Sequence, residues 1–347
     1  MEFKKGVSVV ICCYNSAAKI SPTLAHLAVQ KTDNLFWEIV VVNNASKDNT
    51  KEVALCEWNR LNSAVEFNIV DQDIPGLSAA RDKGIAESKY EYILFCDDDN
   101  WLQEDFLQRS YHLMEEYPAV GILGGQSEAA ADIPIPEWFS KKSLVFAVGK
   151  QGVHSGQLKG VDQNLYGACM MVRRSGLRLL DICGFSFLNS GRFGDKLTGG
   201  EDIELGKAFK LANYQLYYDE SLRFKHYMPA DRVNWPYFLR LGRGSASSGI
   251  PVFVYDLFLK NGSLTKSEFK SAYWKYVIIV GLKIVKRPFA LYKYLKGSAK
   301  EGDLSYFEMM RLVETLNVFK SKYSFAEYCF DQIKKFKENI KRVTAIV

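Results

Sequence analysis

The chain has 347 residues, of which 48% are hydrophobic and 24% charged, a composition typical of a folded globular protein and not of a disordered one. A formal net charge of +5 is too mild to predict a nucleic-acid partner, although it permits contact with an anionic surface or a phosphorylated substrate. The length suggests two domains, or one domain with an appendage.

Cysteine usage and hydropathy predict a cytoplasmic protein. The seven cysteines show no Cys-x-x-Cys spacing, and most lie in apolar runs, where cysteine behaves as a small buried hydrophobe. No uninterrupted apolar segment reaches roughly 18 residues, so we predict no membrane-spanning helix. The first apolar run is too short for a signal peptide. Peripheral contact with the inner face of a membrane stays open.

Apolar runs and helical patterns alternate in the first part of the chain. Predicted strands cover residues 7–12, 37–42, 65–70 and 92–96. Predicted helices follow the first three, over residues 22–30 with Ser21 as N-cap, 50–61 and 78–88. The short connections predict a doubly wound, mostly parallel α/β sheet with right-handed crossovers.

The second part of the chain is less regular. We predict helices over 104–116 and 201–212, and strands over 120–123, 168–172, 215–218 and 222–226. Residues 124–167 form an irregular stretch with glycines and prolines. From about residue 235 aromatics and lysines recur with helical spacing, which predicts a domain over 1–234 and a helical C-terminal region over 235–347.

Three consecutive carboxylates follow the fourth predicted strand. Asp97, Asp98 and Asp99 stand at its C-terminal end, the edge at which open α/β sheets bind ligands. Adjacent carboxylates repel one another, so they favour either full solvation or a bound cation, and a divalent ion on phosphate oxygens suits them. A solvated loop is the alternative for this motif alone.

Five motifs together resemble the family 2 glycosyltransferases over about residues 6–230. They are CYN at 13–15, NNASKDNT at 43–50, PGLSAARDKG at 75–84, CDDDN at 96–100 and GGEDIEL at 199–205. The resemblance implies the A-type nucleotide-sugar transferase fold. It also implies transfer of a sugar from a nucleoside diphosphate donor, usually a uridine one, with inversion at the anomeric carbon and with Mg²⁺ or Mn²⁺.

The resemblance assigns the metal and the base. Asp99 matches the direct metal ligand, with Asp97 in the same motif, and Asp98 matches the carboxylate that faces the donor sugar and ribose. Asp202 matches the general base and Glu201 is its neighbour, although both could simply complement the helix N-terminus. His226 matches a histidine that completes the metal or diphosphate shell in fold relatives, or else is structural.

The resemblance also assigns the donor contacts. Tyr14, next to Asn15, is placed to stack on uracil unless it is a core residue. Asn43 stands where the family usually has aspartate. Its carbonyl can accept from uracil but its amide adds donors, and it could simply form a turn. Arg81 matches a residue near the diphosphate, with an ion pair to Asp82 as the alternative.

Three further features have two interpretations each. Arg240 and Arg243 could close over the diphosphate from a mobile loop, or anchor the C-terminal region. Trp138, within the irregular 125–166 region, could stack on an acceptor sugar or pack in a core. Residues 273–296 form a basic amphipathic stretch that could contact a membrane, although the sequence alone favours a helix packed with its lysines outward.

The resemblance implies an inverting, metal-dependent transferase that acts on a glycan or lipid-linked acceptor. A sugar-phosphate nucleotidyltransferase is an alternative, but CCYNSAAK lacks the glycine-rich basic loop that this activity needs. A nucleotide-binding scaffold without catalysis is another. The sequence determines neither the donor sugar and the acceptor, nor the linkage and the oligomeric state.

Overall fold

The computed structural model describes residues 3–189, 199–298 and 300–345. Within them the chain forms one mixed sheet of nine strands. The strands are β1 Lys4–Cys13, β2 Trp37–Asn44, β3 Glu66–Gln72, β4 Tyr90–Asp97, β5 Asn100–Leu102, β6 Val120–Ala131, β7 Gly156–Gln157, β8 Met170–Arg173 and β9 Gln215–Met228.

Helices flank the sheet and make up the C-terminal region. The N-terminal ones are α1 Ile20–Ala28, α2 Thr50–Leu61, α3 Leu77–Glu87, α4 Phe106–Glu116, α5 Glu137–Ser140, α6 Arg174–Ile182 and α7 Glu201–Leu211, with a 3₁₀ turn at Ser143–Phe146. The C-terminal ones are α8 Trp235–Ser247, α9 Gly249–Asn261, α10 Lys266–Val285, α11 Pro288–Leu295, α12 Leu304–Ser321 and α13 Tyr323–Thr344.

The sheet order is β3-β2-β1-β4-β8-β6-β9-β5, with β7 paired to β9. Strands β1 to β4 are parallel, while β8 runs antiparallel to both of its neighbours, β4 and β6. The predicted doubly wound, mostly parallel α/β fold is therefore confirmed. Val9, Ile39 and Leu94 pair across the centre and are completely buried, as expected of parallel strands covered on both faces.

Two local predictions were wrong. The helix predicted to be capped by Ser21 already begins at Ile20, because Ser16 accepts the amide of Ile20 and starts the turn earlier. The two predicted closing strands form a single strand, β9. Its register against β6 shifts between Gly124 and Gln126, so residues 219–222 form a bulge that resembles a turn in the sequence.

The two faces of the sheet build separate cores. In β1, Val10 packs in the core that contains α7 and α9, and Val9 packs in the opposite core with residues of α1 and α4. Helix α3 crosses β1 closely, because a Cβ added to Gly84 would lie 2.3 Å from Cγ1 of Val10. Only glycine permits this approach.

The C-terminal helices share cores with the sheet domain. Phe258, Phe269 and Tyr273 belong to the same buried cluster as Phe209 of α7. Whether the chain divides at 234 into two folding units stays a prediction. In the residues that the structure describes, no helix combines the length and the apolar character that a bilayer span requires.

A separate aromatic cluster joins α5, α8 and α12. It contains Trp138, Trp235, Phe238 and Phe307, and the rings of Phe238 and Phe307 stack with centroids 3.9 Å apart. Trp138 is 6% exposed and donates from Nε1 to Oε1 of Glu301 at 3.1 Å. It therefore packs in this cluster, and the hypothesis that it stacks on an acceptor sugar was wrong.

Removing the Phe307 ring should destabilise the fold. We expect Phe307→Ala to lower the free energy of unfolding by about 3 kcal/mol or more, because the ring is fully buried and its removal leaves a cavity. Phe36→Ala is the matched control, since that ring is 72% exposed. Denaturant unfolding measures both, and equal losses in the two variants would contradict the packing described for the aromatic cluster.

Candidate active site

The acidic turn lies where β4 ends. Asp97 closes the strand and pairs with Cys12 at the end of β1. Asp98 and Asp99 follow and are 6% and 2% exposed. The turn is therefore buried, and the solvated-loop interpretation was wrong for these two carboxylates. Buried carboxylates need hydrogen bonds or counter-charges, and both have them.

Asp98 is held by the first residues after β1. Its carboxylate accepts a hydrogen bond from Oγ of Ser16 and forms an ion pair with Nζ of Lys19 at 2.7 Å, while its backbone carbonyl accepts from Oγ1 of Thr23 at 2.9 Å. Burial, with the adjacent Asp99 charge, raises the pKa of Asp98 to about 6. The charge of Lys19 opposes this shift and balances the negative charge of Asp98.

Asp99 faces two cationic side chains and an imidazole. Nη1 of Arg232 lies 2.8 Å from its Oδ2 and Nζ of Lys19 3.8 Å from the same oxygen, while Nε2 of His226 lies 3.5 Å from its Oδ1. Burial would raise the pKa of Asp99, but His226, Lys19 and Arg232 outweigh it and hold that pKa below its ordinary value. Asp99 is therefore the more acidic of the two buried carboxylates.

The contact between Asp99 and His226 suits a divalent cation. Within the described residues, Oδ1 of Asp99 and Nδ1 of His226 are buried and receive no hydrogen bond. No three His, Cys, Asp or Glu side chains in residues 3–189, 199–298 and 300–345 form a ready-made metal centre. A cation here would take Asp99 and His226 as protein ligands, with phosphate oxygens completing its shell.

Glu201 and Asp202 begin α7 but point to different partners. Glu201 is 4% exposed and accepts a hydrogen bond from Oγ of Ser78 at the start of α3. Asp202 accepts from the backbone amide of Gly167 at 2.8 Å, and its other oxygen accepts from the amide of Ile203. Glu201 therefore joins two helix starts, whereas Asp202 faces the loop before β8.

The direction of β8 brings Asp202 to the acidic turn. Because β8 runs antiparallel to β4, the residues that precede β8 lie at the edge where β4 ends. Met170 pairs with Phe95, which stands two residues before Asp97, and Gly167 stands three residues before Met170. Asp202, through its hydrogen bond with Gly167, and the acidic turn therefore lie at one edge of the sheet, beside the neighbouring strands β8 and β4.

Arg81 lies beside Gly167 and Asp202 and contacts β4 through Phe95. It is 8% exposed, and its guanidinium carbon lies 5.2 Å from the ring centroid of Phe95. A Cβ added to Gly167 would lie 2.7 Å from Nη2 of Arg81 and 3.4 Å from Cβ of Asp202. In the described part of the chain Arg81 has no ion pair with Asp82, so that alternative was wrong.

The ends of β1 and β2 form a second polar patch. Tyr14 is 53% exposed, so it is not a core residue. Asn15 adopts a left-handed backbone with φ of 50°, and its Oδ1 accepts the amide of Lys47 at 2.8 Å. This hydrogen bond ties the loop after β1 to the loop after β2 and leaves the ring of Tyr14 free to receive a planar ligand.

Asn43 is oriented by a carboxylate. Its Nδ2 donates to Oδ1 of Asp71 at 2.9 Å, and Asp71 forms an ion pair with Nζ of Lys51 at 2.5 Å. Lys51 and Asn43 lower the pKa of Asp71. Oδ1 of Asn43 is buried without a donor among the described residues. The asparagine thus presents an acceptor, as aspartate would, without adding a carboxylate beside Asp71.

Sequence reasoning missed Lys19 and Arg232 and misplaced two other arginines. Lys19 could have been found from its position one helical turn after Ser16, but nothing near Arg232 in the sequence signals its contact with Asp99. Arg240 and Arg243 do not lie in a loop. Both belong to α8, where Arg243 lies 3.9 Å from Glu314 of α12 and Arg240 over the Tyr237 ring.

Comparisons with known proteins support the sequence motifs. The model of "Glycosyl transferase family 2" matches residues 8–180. The putative glycosyltransferase EpsH of Bacillus subtilis is 33% identical over 103 residues, which are 30% of this chain and only 28% of that protein. The poly-beta-1,6-N-acetyl-D-glucosamine synthase of Staphylococcus epidermidis is 23% identical over 88% of this chain and 71% of its own length.

A solved structure shares the fold. The mannosyltransferase PcManGT of Pyrobaculum calidifontis, determined with GDP-Man and Mn²⁺, matches with a TM-score of 0.55 at 15% identity, over 90% of this chain and 88% of its own. The family model covers about half of the chain, including β1 to β4 and the acidic turn. The chain therefore belongs to glycosyl transferase family 2, the family that its motifs resemble.

Proposed function

We propose that this chain transfers a sugar from a uridine diphosphate donor to a hydroxyl group of a glycan or lipid-linked acceptor, with inversion and with Mg²⁺ or Mn²⁺. One observation carries the proposal: Asp202, Arg81 and the acidic turn lie at the same edge of the sheet. A general base, a phosphate-binding cation and a metal-binding carboxylate there would flank one sugar diphosphate.

Asp202 is proposed as the general base. The acceptor oxygen attacks the anomeric carbon, the bond from that carbon to the diphosphate oxygen breaks, and the hydroxyl proton passes to the Asp202 carboxylate. A single displacement inverts the configuration and needs no protein nucleophile. The Gly167 amide fixes Oδ2 of Asp202. Glu201, held by Ser78, is proposed to position this helix start.

Asp99 and His226 are proposed as metal ligands, and Asp97, which closes β4 immediately before the turn, is proposed to add negative charge beside them. When bound, the cation would neutralise charge on the departing diphosphate. Asp98, compensated by Lys19, is proposed to face the donor sugar and ribose. Arg81 is proposed to bind a phosphate oxygen, since in the described residues no carboxylate occupies its guanidinium.

The patch at Tyr14, Asn15 and Asn43 is proposed to hold the uracil ring and ribose. Oδ1 of Asn43 lacks a donor, and the N3–H of uracil is one. Asp71 fixes the amide so that this oxygen, and not the Nδ2 group, is available. The exposed ring of Tyr14 offers a stacking surface beside it.

Asp202→Asn should abolish transfer and spare donor binding. The amide keeps the hydrogen bond to Gly167 but cannot take a proton, so we expect turnover to fall by at least about a hundredfold. UDP should raise the melting temperature as in the wild type. Asp331→Asn, on the α13 surface, is the control. Near-normal turnover by Asp202→Asn would contradict the assignment of Asp202 as the general base.

Mn²⁺ should strengthen UDP binding through His226. Because a ligand that binds only the folded state raises the melting temperature, UDP with Mn²⁺ should raise it more than UDP alone. His226→Gln should remove that increment, while His112→Gln, an exposed histidine on α4, should keep it. An equal increment in both variants, or turnover that EDTA leaves unchanged, would contradict the proposed metal site.

The pair of Asn43 and Asp71 should set base preference. Asn43→Asp places a second carboxylate next to Asp71, and we expect UDP to bind about tenfold more weakly, since like charges at hydrogen-bond distance repel. Adding Asp71→Asn reverses the donor and acceptor of the pair and should restore binding. Calorimetric titration measures UDP and GDP with each variant. Equal affinity of the wild type for both nucleotides would overturn the uridine proposal.

A further inference from the structure

Helices α10 and α11 present a second apolar surface that the fold leaves uncovered. One side of α10 packs into the protein through Phe269, Tyr273, Val277, Val280 and Ile284. The opposite side carries an equally apolar row. Its exposed members, on α10 and α11, are Trp274, Ile278, Leu282, Val285, Phe289, Tyr292 and Leu295.

The exposed row forms a stripe along one side of each of the two consecutive helices. On α10 its residues are spaced by four and three positions, which places them on one side of the helix. On α11 they are spaced by three. Val285, Phe289 and Leu295 are 70%, 71% and 73% exposed, far more than isolated packing defects would leave. The packed-helix interpretation therefore accounts for one side of α10 only.

The segment that carries this stripe is rich in cations and has no acidic residue of its own. Residues 269–300 contain eight lysines and arginines and no aspartate or glutamate. In the described part of the chain only Arg287 and Lys293 of these eight form ion pairs, with Glu308 and Asp303 of the next segment. The other six have no ion pair with any residue that the structure describes: Lys270, Lys275, Lys283, Lys286, Lys296 and Lys300.

We propose that the α10–α11 stripe, together with its lysines, binds the surface of an anionic lipid bilayer. Apolar side chains between cations match an interface in which phosphate head groups lie above acyl chains. A second copy of the chain fits less well, because a two-fold interface would bring the same uncompensated lysines together. With no span in the described residues, the helices would lie along the bilayer plane.

The experiment is sedimentation of the full chain with vesicles. Vesicles of phosphatidylglycerol and phosphatidylcholine should pull the protein down at low ionic strength, whereas phosphatidylcholine alone should not. High salt should weaken binding, since it screens the lysines. No sedimentation with anionic vesicles at low salt would overturn the proposal.

Matched triple variants localise the binding surface. We expect Val285→Ser/Phe289→Ser/Leu295→Ser to reduce vesicle partitioning by at least about tenfold, because three inserted apolar side chains are lost. The control, Phe36→Ser/Leu144→Ser/Val153→Ser, removes three exposed apolar side chains elsewhere and should bind as the wild type. Melting temperatures verify that both triple variants fold. Equal partitioning of the two would overturn the proposal.

A charge series separates the lysines from the apolar stripe. Lys275→Gln/Lys283→Gln/Lys286→Gln should lower affinity for anionic vesicles about fivefold for each lysine, while Lys4→Gln/Lys159→Gln/Lys334→Gln should change it little at the same net charge. Donor turnover without lipid, measured on every variant, reports the proposed transferase activity independently. Self-association through the stripe, together with no vesicle binding, would assign the surface to a second copy and overturn the proposal.

Discussion

The structure depends on the compensation of two adjacent buried carboxylates. Asp98 and Asp99 are nearly inaccessible to solvent, and an unpaired charge in such a place costs several kcal/mol. The counter-charges come from distant parts of the chain, Lys19 at the start of α1 and Arg232 after β9, and the imidazole of His226 in β9 faces the same carboxylate. These contacts with Asp98 and Asp99 therefore hold the start of α1 and the end of β9 against the same turn.

The direction of one short strand decides what this turn faces. Strand β8 has four residues, yet its antiparallel course reverses the parallel order and places its preceding loop beside the end of β4. A parallel strand in the same position would have put Gly167, and Asp202 with it, at the opposite edge. The antiparallel course of β8 therefore places Asp202, at the start of α7, at the same edge of the sheet as the acidic turn.

Sequence patterns predict the parts of the fold that local chemistry determines. Strands β1, β2 and β4 are continuous apolar runs because both of their faces are covered, and α2 was predicted at its observed bounds, Thr50–Leu61. The acidic turn and the start of α7 were also predicted, because each is a short run of neighbouring residues. Contacts between remote segments left no such pattern. Arg232 pairs with a carboxylate 133 positions away, and Trp138 has aromatic partners in α8.

The two polar patches at the sheet edge limit the repulsion between neighbouring acidic positions in different ways. At the acidic turn, neighbouring carboxylates persist because Lys19, Arg232 and His226 supply more than one counter-charge. At the ends of β2 and β3, Asp71 has Lys51 as its ion-pair partner, and the facing position is an amide, Asn43. A carboxylate at 43 would lack a cation of its own. An amide at 43 avoids a second carboxylate beside Asp71, and under the proposed uracil contact its oriented Oδ1 would still be the acceptor that a base N–H requires.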